Sequence, residues 1–385
     1  MAALAAASAF AQSTVTIGGM FDIAWKDQKH TGTAGTGAKA SGVSDGAMGP
    51  NRIMFSGTED MGAGLKAQFM SEIGVNPTND ELTGNRTGNS GIQYDSTLTA
   101  PAAATQAGAT GYSQNTNRQT WVGLTGGFGH VRVGYLVNNI YVLSSQSGYN
   151  TTFEGLVGAD VFHIHGNAIV GGTRGNGLQY TSPELMKGLT ATVQYGAGNG
   201  RQTLETGGTT QDNLTRTGIK FDYANGPIKA AYARTEAKTV TTSSILSANA
   251  QGETLATPAN ADNKGSLDQL IGSYNFGFAT VAYLINDGKN TANATGAETK
   301  YKSNQLTVSA PIGKITLRAS AGHLTTKTAT ATTVDVKGHQ FGATYDLSKR
   351  TVAYVMTGTT EDTGASASTW NAKRTATAIG VNHSF

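Results

Sequence analysis

Arg52 precedes Ile53 and Phe55 in a stretch where polar and apolar residues alternate. On an extended strand that spacing turns the guanidinium to the face opposite the two apolar side chains. Arg132, Lys220, Lys314 and Arg318 stand in the same relation to their apolar neighbours. A guanidinium keeps its charge at any working pH. Rings of such fixed charge select ions in pores. For the latter four residues two readings stand, an extended positive path or scattered solvated charges. Other constellations fall short of a site. His163 and His165 are spaced to share one strand face, but no third ligand accompanies them, and zinc takes three or four. The chain has no cysteine, which removes thiolate metal sites, disulfides and a cysteine nucleophile. There is no P-loop, no G-x-G-x-x-G after a strand, no G-x-S-x-G elbow and no H-E-x-x-H. A Ser–His pair assembled by folding, for which spacing is no guide, keeps a hydrolase open as a rival. Nothing here calls for a cofactor or a metal.

The elements that would carry these charges are strands. Val15, Ile17, Phe21, Ile23 and Trp25 share one parity, and Thr14, Thr16, Asp22 and Lys26 the other. Ile219, Phe221 and Tyr223 alternate in the same way against Arg216, Lys220 and Asp222. Period two marks a half-buried strand and not a helix. It predicts strands near 13–25, 50–57, 64–73, 118–125, 130–136, 175–181, 188–196 and 214–223, then 228–237, 267–275, 278–286, 302–310, 314–322, 337–346, 350–358 and 374–385. Short turns such as Asn225-Gly226-Pro227 follow the even strands. Long polar segments follow the odd ones, at 26–49, 74–117, 137–174, 197–213, 238–266, 287–301, 323–336 and 359–373.

That asymmetry belongs to a membrane barrel, with tight periplasmic turns and free extracellular loops. A soluble sandwich gives no reason for it. The expected fold is therefore all-β, a sixteen-stranded antiparallel transmembrane β-barrel spanning 12–385. The aromatics Trp25, Trp121, Tyr195, Tyr223, Tyr232, Tyr283, Tyr345 and Tyr354 fit interfacial girdles, or generic strand packing. Composition agrees. Charged residues are 14% of the chain, against roughly 25% in soluble domains. No run of about 18 apolar residues offers a transmembrane helix. A net charge of +3 gives no dense basic stripe, so nucleic acid is not an expected partner. Residues 1–11, alanine-rich and ending Ala9-Phe10-Ala11, read as the remnant of a signal peptide, or else as a short helical arm. At the other end Thr377, Ile379, Val381, His383 and Phe385 share one face. His383 is the polar exception there and suits the headgroup level.

With these features in view, the sequence resembles the trimeric general diffusion porins of Gram-negative bacteria, above all the betaproteobacterial branch. The resemblance is carried by the stretch from Asn51 to Ala67, with its Gly57-Thr58-Glu59-Asp60 turn, by Arg118 to Val133, by Leu347-Ser348-Lys349-Arg350-Thr351 and by the terminal His383-Ser384-Phe385. It implies a homotrimer in the bacterial outer membrane, among lipid and lipopolysaccharide. Small hydrophilic solutes and inorganic ions would pass each barrel without catalysis. It implies a third loop, about 137–174, folded inward to form an eyelet. Arg52 and Arg118 match the family's wall arginines, and Arg174 is a third. Glu154 and Asp160 are the acidic candidates on the loop. The family often has arginine after the glycine of the fifth strand, where Tyr135 follows Gly134 here. The implied function is passive diffusion with a mild anion preference. The rivals are a substrate-specific channel and a surface adhesin or receptor barrel displaying loops 74–117 and 238–266.

Overall fold

A computed structural model describes residues 14–33, 37–75, 93–94, 117–141, 174–197, 213–240, 246–248, 254–256, 263–292, 295–365 and 372–385. The signal-like residues 1–11 lie outside them. In chain order the strands are β1 (Thr14–Thr31), β2 (Gly37–Asp45), β3 (Arg52–Gly62), β4 (Leu65–Gly74), β5 (Gln93–Tyr94), β6 (Asn117–Gly126), β7 (Gly129–Val137), β8 (Arg174–Thr181), β9 (Leu189–Ala197) and β10 (Asn213–Asn225). They continue as β11 (Ile228–Val240), β12 (Leu246–Ala248), β13 (Thr254–Ala256), β14 (Asn263–Asn275), β15 (Thr280–Ala292), β16 (Ala297–Ile312), β17 (Ile315–Lys327), β18 (Thr332–Asp346), β19 (Thr351–Asp362) and β20 (Lys373–Ser384).

One 18-stranded antiparallel sheet contains all of these except the separate β12–β13 hairpin. The sheet closes where β20 pairs with β1, from Met20↔Ser384 to Thr31↔Lys373. β2 and β3 lie end to end along β1 and form a single wall strand interrupted at 46–51. β5 adds two residues of ladder beyond β2. With β2 joined to β3 and β5 set aside, sixteen strands make the wall. Closure joins the last strand to the first, so that neither presents a free edge, which hydrocarbon would penalise by several kcal/mol per group.

The wall is apolar outside and largely polar inside, with an inward apolar patch that includes Leu267, Ile271, Leu284 and Leu324. Val15, Ile17, Trp25, Val122, Leu178 and Ile379 are exposed, whereas Asp22, Lys26, Gln194, Arg216, Gln269, Gln305 and Asn382 are buried. The turns after β3, β6, β8, β10, β14, β16 and β18 sit at one end of the barrel. Among them Gly62-Ala63-Gly64 joins β3 to β4 with all three residues at positive φ, a conformation that glycine adopts without steric cost. Phe21 and Phe385 pack their rings 5.5 Å apart near that end. There, too, His383 is exposed and bonds Thr351 Oγ1 through Nδ1 at 2.9 Å.

Three of the expected long loops are mostly strand. Only 32–36 separates β1 from β2, only 293–296 separates β15 from β16, and only 328–331 separates β17 from β18. The physical reason is that hydrophobic alternation reports the hydrocarbon and not the ladder. Above the apolar band the outward face turns polar while the hydrogen bonds continue. Cross-strand ion pairs then replace apolar contacts, as in Lys302–Asp287 at 3.3 Å and Lys373–Glu361 at 3.6 Å. Two expected girdle residues also face inward. Trp121 and Tyr354 are buried, 8% and 4% exposed.

Tyr354 helps to hold a strap that enters the lumen at 46–51. The Asp22 carboxylate accepts the backbone N–H groups of Met48 and Gly49 at 2.6 and 2.9 Å and the Tyr354 hydroxyl at 2.7 Å. Tyr354 Oη in turn accepts the Ala47 N–H at 2.9 Å. A Cβ on Gly46 would lie 1.7 Å from Asp22 Oδ1, so only glycine fits there. Asp22→Ala, which strands these donors, is expected to lower barrel stability by about 1–3 kcal/mol, the cost of unsatisfied buried groups. A urea titration of folded and unfolded fractions in lipid checks this. An unchanged midpoint would show that the strap does not hold the wall together.

Candidate functional site

The site starts from a bulge. Across β4 and β6, Gln119 opposes Glu72 and Asn117 opposes Ile73, which leaves Arg118 as the extra residue. Both Arg118 and Gln119 thereby reach the same inward carboxylate. Arg118 Nε donates to Glu72 Oε1, and Gln119 Nε2 donates to Oε2 at 2.9 Å. Arg52, at the head of β3 and opposite Met20, brings its Nε to 3.9 Å from Glu72 Oε1 and gives Nη1 to the Pro50 carbonyl at 3.2 Å. The strap and the arginine cluster therefore adjoin.

Arg174 opens β8 opposite Val137, a register that would turn an ordinary strand residue outward. At the strand end its side chain instead lies over the Tyr141 ring, 5.2 Å from the centroid, and its charge interacts with those of Arg118 and Glu72. Two guanidiniums thus lie within 4 Å of one wall carboxylate, and the charge of a third acts on it. Arg216 extends the group by donating Nη1 to the Arg174 carbonyl at 3.3 Å. Lower on the wall, Arg132 lies 5.2 Å over the Trp121 ring and donates to Gln179. Lys220 pairs with Asp222 at 2.7 Å, Arg318 is half-buried on the inward face, and Lys314 lies in the exposed turn between β16 and β17.

The third loop begins inside the barrel. Asn138, Asn139 and Ile140 are fully buried, and 139–141 form the start of a helical turn. Asn139 Oδ1 accepts from Gln179 on β8 at 2.9 Å, and its N–H donates to Gln194 on β9 at 3.1 Å. Thr235 on β11 donates to Asn138 Oδ1 at 3.1 Å. Ile140 packs with Ala233 and Leu267. Residues 138–140 thus run across the inner faces of β8 to β11. Glu154 and Asp160, like His163 and His165, lie outside the described residues.

Among the described residues, the acid brought to the arginines is Glu72, which is not among the sequence candidates. Its signal was present, since it alternates with Phe69, Ser71 and Ile73 on the inward parity of Gln68 and Met70. Glu72→Gln keeps the shape and removes the negative charge that the wall itself sets beside Arg52 and Arg118. At an effective dielectric near 20, a unit charge a few ångströms from a pore ion is worth a few kcal/mol before screening. After salt screening, the variant is expected to raise the chloride-to-potassium permeability ratio by roughly three- to fivefold. Reversal potentials check it, and a fall in the ratio would show that Glu72 does not offset the arginines.

The profile of the family described as Gram-negative porin matches residues 1–365. The chain belongs to the Gram-negative porin family. Among this porin's relatives, outer membrane porin protein 32 of Delftia acidovorans is 30% identical over 363 residues, covering 92% of this chain and 86% of the relative. Major outer membrane protein P.IB of Neisseria lactamica is 27% identical over 343 residues, covering 87% and 83%. Of solved structures, the anion-selective porin from Comamonas acidovorans superposes with a TM-score of 0.69 at 23% identity, over 97% of this chain and 100% of that one. The trimer form of OmpT of Vibrio cholerae gives 0.65 at 11% identity, over 97% and 99%. The porin is an outer-membrane channel protein.

Proposed function

We propose that the porin is a passive, mildly anion-preferring pore for small hydrophilic solutes and inorganic ions. The observation that carries this reading is the charge of the inner wall. From β3 to β10 it presents Arg52, Arg118, Arg132, Arg174, Arg216 and Lys220 against Glu72 and Asp222. Fixed charge of one sign around a narrow aqueous path enriches counter-ions there. The neighbour from Comamonas acidovorans, titled anion-selective, supports the same sign.

In this reading Arg52, Arg118 and Arg174 form one side of an eyelet, and Glu154 and Asp160 on the third loop form the other. The assembly is a homotrimer, as in the trimer form of the Vibrio cholerae neighbour. The shared face is the low side of the wall, where β6 to β9 run 8–10 residues against 13–16 for β14 to β18. Phe69, Val122, Val133 and Leu178 make that face apolar. Elsewhere the wall meets lipid and lipopolysaccharide.

Liposome swelling with a size series of neutral sugars tests the diffusion reading. Rates should fall smoothly with solute size and show no saturation. Saturation by one sugar would favour a substrate-specific channel, and no swelling by folded protein would end the pore reading.

A further inference from the structure

Alongside β1, the wall strand made by β2 and β3 is too long for its place. Ile23 pairs with Asp45 and Met20 with Arg52, so the six residues 46–51 stand opposite only two, Phe21 and Asp22. The excess is displaced into the lumen as the strap. Asp22 holds it at both ends and in the middle. The Asp22 carbonyl accepts the Gly46 N–H at 2.6 Å, the Asp22 N–H donates to Asn51 Oδ1, and Asp22 Oδ2 accepts from Met48 and Gly49. Asp22 Oδ1 accepts the hydroxyl of Tyr354, which reaches it from β19 across β20. Gly380 stands opposite both Tyr354 and Ala24 and lets the ring pass, since a Cβ there would lie 2.3 Å from Tyr354 Oη. Beneath the strap Ala47 and Met48 pack with Ala24, Met356, Ala376, Ala378 and the Tyr354 ring.

A buried network satisfied in this way holds its members in one arrangement. What it holds here leads directly to Arg52. The Asn51 carbonyl accepts the Val75 N–H at 3.1 Å, just past the end of β4, and the Pro50 carbonyl accepts Arg52 Nη1 at 3.2 Å. On its other side the Arg52 guanidinium brings Nε to 3.9 Å from Glu72. The guanidinium therefore sits between the strap and the wall carboxylate. An arginine on a long flexible stem acts at a fixed place only when its surroundings hold it there.

We propose that Asp22 and Tyr354 are positioning residues for ion selectivity, which latch the 46–51 strap and through it hold the Arg52 guanidinium where it acts on passing anions. The inference rests on the anion-preferring reading and deepens it, because it assigns part of the selectivity to two residues of which neither carries a positive charge. Tyr354 contributes through its hydroxyl alone. That group donates to Asp22 and accepts the Ala47 N–H, so it ties the strap to the carboxylate that anchors the rest of it.

Tyr354→Phe tests the latch without changing any charge, and its ring keeps the apolar packing beneath the strap. Reversal potentials across a KCl gradient are compared for the unaltered protein, Tyr354→Phe, Arg52→Ala and the two combined. Tyr354→Phe should lower the chloride-to-potassium permeability ratio about twofold, the scale of moving one arginine by a few ångströms in a field screened over about 8–10 Å. In the Arg52→Ala background it should change nothing, because a residue that acts through another has no effect once the other is gone. A merely structural role would lower the yield of folded barrel and leave the ratio of the channels that form where it was. A ratio untouched by Tyr354→Phe, or lowered equally with and without Arg52, would overturn the inference. The unaltered protein separates the two claims. A chloride preference that Tyr354→Phe leaves intact sinks the latch alone, whereas no chloride preference at all sinks the anion reading and the latch with it.

Discussion

Arg52→Ala combined with Arg118→Ala is expected to lower the chloride-to-potassium permeability ratio by about fivefold, or about 1 kcal/mol, while leaving the channel open. The two arginines are the partners of Glu72, with Arg118 Nε bonded to its carboxylate and Arg52 Nε at 3.9 Å. Removing both leaves Glu72 with Arg174 alone, so the cluster falls from a net positive charge to near neutrality. At an effective dielectric of about 20, each unit charge 8 Å from a passing ion is worth about 2 kcal/mol, and salt with a Debye length of about 8–10 Å reduces this. The two single variants should differ. Arg118→Ala removes the direct bond to Glu72 and should destabilise the fold more, because it strips a buried carboxylate of its best partner. Arg52→Ala should act mainly on selectivity. An unchanged reversal potential in the double variant would move the selectivity to Arg132, Arg216 and Lys220.

Deletion of residues 142–170 is expected to give the largest change in conductance. The loop enters the lumen through Asn138, Asn139 and Ile140, which are fixed to Gln194, Gln179 and Thr235 on three wall strands. A wall of sixteen strands encloses an aqueous channel unless something fills it. With the anchors kept and the rest of the loop removed, single-channel conductance should rise about twofold or more, on the reasoning that the loop and not the wall limits the pore. Larger sugars should then enter in liposome swelling. The barrel itself should persist, because its ladder closes without the loop. Unchanged conductance would place the constriction elsewhere, with the strap at 46–51 the first place to look.

How legible the molecule was depends on which force wrote each part. The wall strands were readable because hydrocarbon on one side and water on the other impose period two, as in Ile53 and Phe55 against Arg52. The upper halves of β1, β15, β16 and β17 were not, because outward residues there are Asp27, Lys289, Lys300 and Lys327 and both faces are wet. Arg52 and Arg118 were found by parity and resemblance. Glu72 was passed over because the search for an acid followed the resemblance to the third loop, although its alternation with Phe69 and Ile73 put it on the wall. The strap held by Asp22 and Tyr354 had no local signal. The two residues that hold it are separated by 332 residues and meet only when the sheet closes.

The central claim is that wall arginines give this pore its sign of selectivity. Its most direct test is the reversal potential of the unaltered protein in a planar bilayer across a KCl gradient. Discrete channels whose reversal potential lies toward that of chloride are the predicted result. A reversal potential at zero, or toward that of potassium, would contradict the account.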